Sequence, residues 1–523
     1  MRSKSGNYRL HNCDRTIDAS TKRREPLPRS FLFSLNPAPV PIGHVGRFSP
    51  RGQLSVSPDY QCTAQGDETA FVILVGYCFD LRSIERSEAD IAMDLLRKGV
   101  GEGIDSMLAD TDDLVGRYTA ICFTGKRWVV FNDAGAMRST YFAEDAPIIA
   151  SHSSIIGDLQ GRAPRRELFR HYCFGLPGNA SPVEGVRVIP PNFELDLESR
   201  QLRRFWPRNP RIERPSKVLI GPLVEVLTRT AGGIARRYPP ALSLTAGIDS
   251  RITLACFQHV KATVTFTYLA GPDAEVDASI AQKLAAGLGM QHRVLPLVEN
   301  ESGKALTADV SSLVDFKHLP DLTACYRSAF GGGNFIHVRS NLGEIGRAFW
   351  RKHPVMPKRF AATNWPDIAT DRRRAREPLR DVAVEYMREQ MHAFIQLAGY
   401  DVSDPRNPQL LGYDGWDLVY WEHRMATWHA QLLLGSDYVF DTAVIFNSRR
   451  ALELLLSAPF AERLNSKLFH MTIEQLIPQV SDIPINPRIR RRSVFVQLYR
   501  RLRRRSALLQ AIDRRTGLIQ RIS

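Results

Sequence analysis

The chain has 523 residues, 44% of them hydrophobic, with 70 Lys and Arg against 55 Asp and Glu and a formal net charge of +15. That is enough length for two large α/β units and enough apolar content for ordinary cores, and no stretch reaches the roughly 18 apolar residues of a membrane span. Seven cysteines, an odd total with no C-x-x-C pair, argue against a disulfide framework or a zinc site; with no signal-peptide apolar segment at the start, the expected compartment is the reducing cytoplasm.

In chain order, Met1 to Arg29 is polar and basic and is expected to be disordered, Cys13 included. Phe71 to Phe79, the longest apolar run, reads as a buried strand. Leu114 to Ile121, Val129 to Gly135 and Ile148 to Ser151 follow as hairpin strands, and Val183 to Asp196, then Arg204-Phe205-Trp206, lead out of this first unit.

The second unit opens on Ala241 to Leu244, a short buried strand that stops at Thr245-Ala246-Gly247-Ile248-Asp249-Ser250, after which Ile252 to Phe257 has helical apolar spacing. A strand, a permissive turn and a helix N-terminus aim backbone N–H groups at an anion. Thr245 and Ser250 offer hydroxyls to phosphate oxygens, and Asp249, repelled by phosphate itself, suits an accompanying Mg²⁺. The spacing is not GxxxxGK[ST], so the loop is not a Walker A loop. Thr263 to Tyr268 reads as a second parallel strand, and Asp277 to His292 as a helix with Asp277 as N-cap and Gly289 as its stop, His292 being an ordinary loop histidine. Further on come Phe330 to Asn334, a glycine-rich loop, Phe335 to Val338, a strand, and the basic stretch Arg372 to Arg380.

The hexamer Thr245 to Ser250 resembles the SGGxDS loop of the ATP pyrophosphatases, and within them the synthetase domain of asparagine synthetases and β-lactam synthetases. Asp277 to His292 is similar to that family's D-x-x-x-A helix ending in Leu-Gly-x-x-His. The ordered strands between Leu114 and Asp196 resemble its glutaminase-like domain. The resemblance spans roughly residues 70 to 485 and implies an α/β protein with an α+β N-terminal part: an Ntn-hydrolase-like β-sandwich followed by a parallel-sheet PP-loop domain of the adenine nucleotide α-hydrolase type. The expected boundaries are a basic N-terminus (1–29), an inactive glutaminase-like domain (30–210), the PP-loop domain (211–485) and a C-terminal tail (486–523).

The same resemblance carries site expectations. ATP would contact Ser243, Thr245, Ala246, Gly247, Ile248, Asp249, Ser250, Thr267, Arg339, Ser340, Leu342 and Gly343, with Mg²⁺ on Asp249 and Glu344, both expected to be catalytic. Gly343 stands where the family has a metal-binding aspartate, Ser340 where it has a glutamate important for adenylation. Arg339 and Arg347 are expected either to do part of the metal's work on phosphate or to pair with Glu344. In Trp416 to Trp428, Arg424-Met425 matches the family's R-M pair, Trp421 replaces its lysine, and Glu422 reads as a base for an incoming amine or as a solvated surface acid. Asp441 to Arg450 corresponds loosely to the P-F-L-D-x-R segment.

Met1 is followed by Arg2, without the cysteine a glutaminase of this class uses, so neither glutamine hydrolysis nor an ammonia channel is expected. The leading expectation is an ATP-dependent ligase that adenylates a carboxylate and passes it to an amine. A degenerate nucleotide- or substrate-binding protein is the alternative; a PP-loop tRNA-modifying enzyme would need a sulfur-relay cysteine or an added RNA-binding domain, and neither is evident. The acid, the amine and the oligomeric state stay open, a homodimer among the possibilities. Arg488 to Ser523 holds twelve arginines and one acid, Asp513. Phe495, Leu498, Leu502, Leu509 and Ile512 recur there at helical spacing, which fits a helix docked on the protein, a helix at an anionic membrane surface, or a polyanion contact.

Overall fold

The computed structural model describes residues 11–12, 27–49, 51–165, 175–270, 274–297, 319–352, 380–400 and 410–487; Cys13, all of Arg372 to Arg380 but its last residue, and the arginine tail from Arg488 lie outside them. Within the N-terminal segment expected to be disordered, His11–Asn12 forms a strand, β1.

β1 begins a seven-stranded sheet, in which it pairs β3 (Val45–Ser49), followed by β4 (Gly52–Val56), β2 (Phe31–Ser34), β10 (Ile148–Ala150), β9 (Tyr141–Ala143) and β11 (Val186–Val188). A second sheet runs β13 (Gln201–Arg204), β12 (Phe193–Asp196), β8 (Trp128–Asn132), β7 (Leu114–Phe123), β6 (Phe71–Asp80) and β5 (Cys62–Gly66). Every pairing in both is antiparallel. The two sheets meet through apolar rings, Phe33 lying 5.5 Å from Trp128 between centroids. β6 and β7 are buried along their whole length, which is why they read as near-continuous apolar runs. Their close approach depends on Gly76 and Gly116: a Cβ on either would fall 2.2 Å from a carbonyl oxygen of the other strand.

The second unit is a five-stranded sheet, all parallel, ordered β16 (His292–Pro296), β15 (Val264–Leu269), β14 (Pro240–Ser243), β17 (Ile336–Arg339), β18 (Thr442–Val444). The chain winds outward from β14 to β16, then returns to lay β17 on the other side of β14. That reversal leaves a crevice beyond the carboxyl ends of β14 and β17, the place where open α/β sheets bind ligands. The expected fold class, α/β with an α+β N-terminal part, is borne out.

Helices differ from expectation in three places. The helix Ala274–Gly287 starts three residues before Asp277, so Asp277 lies in its first turn and is not its N-cap; Gly289 does adopt a left-handed φ of 66° just past its end. Trp416 to Trp428 is α-helical only over Gly415–Val419 and widens into a π-helix over Tyr420–His429. The helix Ser216–Arg237 is, by length and composition, long and apolar enough to cross a membrane. Its Leu219, Leu223, Leu227 and Ile234 are instead buried in the shared core of the two units.

Charge also binds the units together. Arg117 on β7 donates to Asp437 and, at 2.9 Å, to Asp441, while Arg138 reaches Asp437 at 3.2 Å. Asn447 donates to the Gly116 carbonyl at 2.7 Å and to Asp133 at 2.9 Å.

Candidate functional site

The crevice at the reversal is a cleft of about 330 Å³, within the usual range for small-molecule sites. Of the residues expected to hold a nucleotide, Ser243, Thr245, Gly247, Asp249, Ser250, Thr267, Arg339 and Ser340 line it, as does Glu344. The sequence brings them together because each stands at or just past the carboxyl end of β14, β15 or β17.

The loop after β14 is closed by its own hydroxyls. Thr245 N–H donates to Ser250 Oγ at 3.2 Å, the two hydroxyls lie 3.0 Å apart, and Gly247 N–H donates to Thr245 Oγ1 at 3.1 Å. Ala246 N–H donates to Asp277 Oδ1 at 2.8 Å. The expectation that these loop N–H groups face an anion is therefore corrected: they are used to hold the turn. What remains for a ligand is the first turn of the helix Ile248–Phe257, whose N–H groups have no intrahelical acceptor. The segment just before the tail braces this helix, Arg251 donating to the carbonyls of Ile483 and Pro484 and Asn486 N–H to that of Ala246.

Opposite the loop, Arg339 ends β17, partly buried in the cleft wall, and its guanidinium makes no hydrogen bond or ion pair among the described residues. Its charge reaches buried His337 and His429, where burial first and Arg339 second hold both imidazoles well below their usual pKa.

Four expected contacts do not line the cleft. Ala246, Ile248, Leu342 and Gly343 are buried, Leu342 completely so and with a left-handed φ of 77° that turns the chain after Asn341. Gly343 instead makes room for Asp249: a Cβ there would sit 2.7 Å from Asp249 Oδ1.

Asp249 and Glu344 do converge, and each is perturbed. Burial, then the Asp249 charge, push the Glu344 carboxyl well above the usual range, and its Oε2 is buried without a partner among the described residues. Burial raises Asp249 too, and Arg347 draws it back down, donating from Nε to Oδ1 at 3.0 Å and from Nη2 to Oδ2. Arg347 is thus the partner of Asp249, not of Glu344. The expected Mg²⁺ does not fit this donor set. Both Asp249 oxygens accept from Arg347 and position 343 offers no carboxylate, so beside a nucleotide's phosphates only Glu344 would be left to hold the ion.

Glu422 is neither a base in the cleft nor a solvated acid. It is fully buried, gripped by Arg204 at 2.7 and 2.9 Å, by Asn192 at 3.0 Å and by the Tyr400 hydroxyl. Trp421 likewise turns from the cleft, donating from Nε1 to the Ala134 carbonyl at 2.8 Å and packing on Trp206. The cation this helix sends toward the acids is Arg424, stacked over Trp428 with 4.0 Å to the ring centroid, and its charge acts on Glu344. Sequence reasoning missed the parts of Tyr268, Asn341 and Asp277 in the cleft; for the first two the signal was present, since each follows an expected contact at a strand end.

No protein-family model matches the chain, and no curated protein matches it. Among solved structures it is similar to the glutamine phosphoribosylpyrophosphate amidotransferase of B. subtilis complexed with ADP and GMP, at 13% identity and a TM-score of 0.23, over 61% of this chain and 71% of that one. It is similar to the NH3-dependent NAD synthetase of Campylobacter jejuni at 10% and 0.19, over 34% and 94%, and to the NMN synthetase of Francisella tularensis at 11% and 0.20, over 53% and 100%. These likenesses are too slight to argue from. The fold stands on its strand order, and function on the geometry of the cleft.

Proposed function

We propose that this chain binds a nucleoside triphosphate across the carboxyl ends of β14 and β17 and uses it to activate a carboxylate for amide formation, without hydrolysing glutamine. The observation that carries this reading is the meeting, at the sheet's reversal point, of a helix N-terminus with a cation, Arg339, that lacks a partner among the described residues. Both are what a polyphosphate requires of a protein.

In the reaction so proposed, a carboxylate oxygen bonds to the α-phosphorus, the bond to the β-phosphate oxygen breaks, and pyrophosphate leaves with that electron pair. The amine then attacks the acyl carbon, AMP departs, and the amine's proton passes to solvent. Arg339 and the first-turn N–H groups of Ile248–Phe257 are the chain's means of bearing the phosphate charge, and no step is assigned to a protein-bound metal.

The test is carboxylate-dependent ATP–pyrophosphate exchange over a panel of candidate acids. Exchange with any acid supports the ligase. ATP binding with no exchange across the panel supports the second reading, a nucleotide-binding protein that no longer adenylates, which the bidentate hold of Arg347 on Asp249 favours.

A further inference from the structure

We infer that Arg347 is a built-in replacement for a divalent cation, so that the cleft takes its nucleotide without a protein-bound metal. For the ligand, this rests on the nucleotide reading above; for the cation, it stands on the surroundings of Asp249. The Arg347 fork takes one lone pair on each Asp249 oxygen, on the side where a bidentate metal would sit. Its guanidinium carbon lies over the Phe469 ring, 5.5 Å from the centroid, and its side chain is only 13% exposed. Gly343 supplies no carboxylate, and the space a side chain would need there belongs to Asp249 Oδ1.

Charge points the same way. Three cations, Arg347, Lys352 and Arg424, act on the pair Asp249 and Glu344. A divalent ion would meet cations already acting on both acids. Arg347 does not line the cleft itself; its part is to cancel the Asp249 charge beside the phosphate loop, the electrostatic work a metal would otherwise do. Unlike a metal it is covalently attached, so no chelator removes it.

Two measurements on the wild-type protein test this. ATP binding is followed by titration calorimetry in excess Mg²⁺ and in EDTA, and Mn²⁺ is titrated without nucleotide by electron paramagnetic resonance. The expected results are affinities within about threefold of each other in the two buffers and no protein-bound Mn²⁺ at this pair. Arg347→Gln should lose about tenfold or more in EDTA, recover part of it with Mg²⁺, and acquire a Mn²⁺ site. Wild-type Mn²⁺ binding abolished by Asp249→Asn, or ATP binding that collapses in EDTA, overturns the inference. If ATP binds in neither buffer, the nucleotide reading falls, and the Mn²⁺ titration still decides whether Arg347 excludes the metal. Should Arg347→Gln fail to fold, the wild-type measurements decide alone.

Discussion

Arginine serves opposite ends at the interface of the two units and in the cleft. At the interface, Arg117, Arg138 and Arg204 each hold a buried carboxylate: Asp437 for the first two, Glu422 for the third. In the cleft, Arg339 has nothing to hold among the described residues, although it too is partly buried. A buried pair whose partners satisfy each other fixes how two surfaces meet and has no charge left for a ligand. A cation beside a cavity without an internal partner is where a ligand's charge belongs. Glu422 shows how the two cases are confused: in sequence it sits on the right helix for a catalytic base, and in the fold it is spent on Arg204.

The sharpest way to break this contrast is to remove an interface carboxylate. Asp437→Ala leaves fully buried Arg138 without its acid and Arg117 with Asp441 alone. Uncompensated buried charge costs about 3–5 kcal/mol, a large part of any domain's stability. Urea unfolding of the variant should show that loss; a change under about 1 kcal/mol would mean the network is no more than a surface pair in disguise.

How much of this was legible in the sequence divides along the same line. The long strands Phe71–Asp80 and Leu114–Phe123 announced themselves as apolar runs, and Ala241 to Phe257 as strand, turn and helix, because those signals are local. The strand β2, four residues long, and β4 were too short and too ordinary to stand out. The partner of each charge was not legible at all. Arg204 and Glu422, or Arg117 and Asp437, are hundreds of residues apart, and nothing in either neighbourhood names the other. The π-helical turn at Tyr420–His429 belongs with these, since it shifts which side chains face the cleft and leaves Arg424, not Trp421, toward the acids.

Removing the cleft cation should do the reverse of Asp437→Ala. A hydrogen bond to a charged group contributes about 1.5–3 kcal/mol, so Arg339→Ala should weaken ATP binding by about ten- to a hundredfold in a calorimetric titration. The urea midpoint should stay put, because no bond to another described residue is lost. A matching fall in stability would make Arg339 structural and dissolve the contrast.

The smallest effect concerns histidines that the interface keeps uncharged. Burial holds His152 near pKa 3, helped by the charge of Arg138, and His44, bonded to Ser30 Oγ at 2.7 Å, near 4. In the unfolded chain both titrate near 6.5. Below that pH the unfolded state binds more protons than the folded one, so stability is full above about pH 7 and is lost as pH falls toward the folded-state values. From pH 7 to pH 6 the loss is about 0.7 kcal/mol for each such histidine. Urea midpoints at these two pH values should therefore diverge in the wild type, and the divergence should shrink by one histidine's share in His152→Gln. An unchanged divergence would mean that His152 takes up its proton without unfolding, and that this side of the interface tolerates a charge that the buried arginines beside it should forbid.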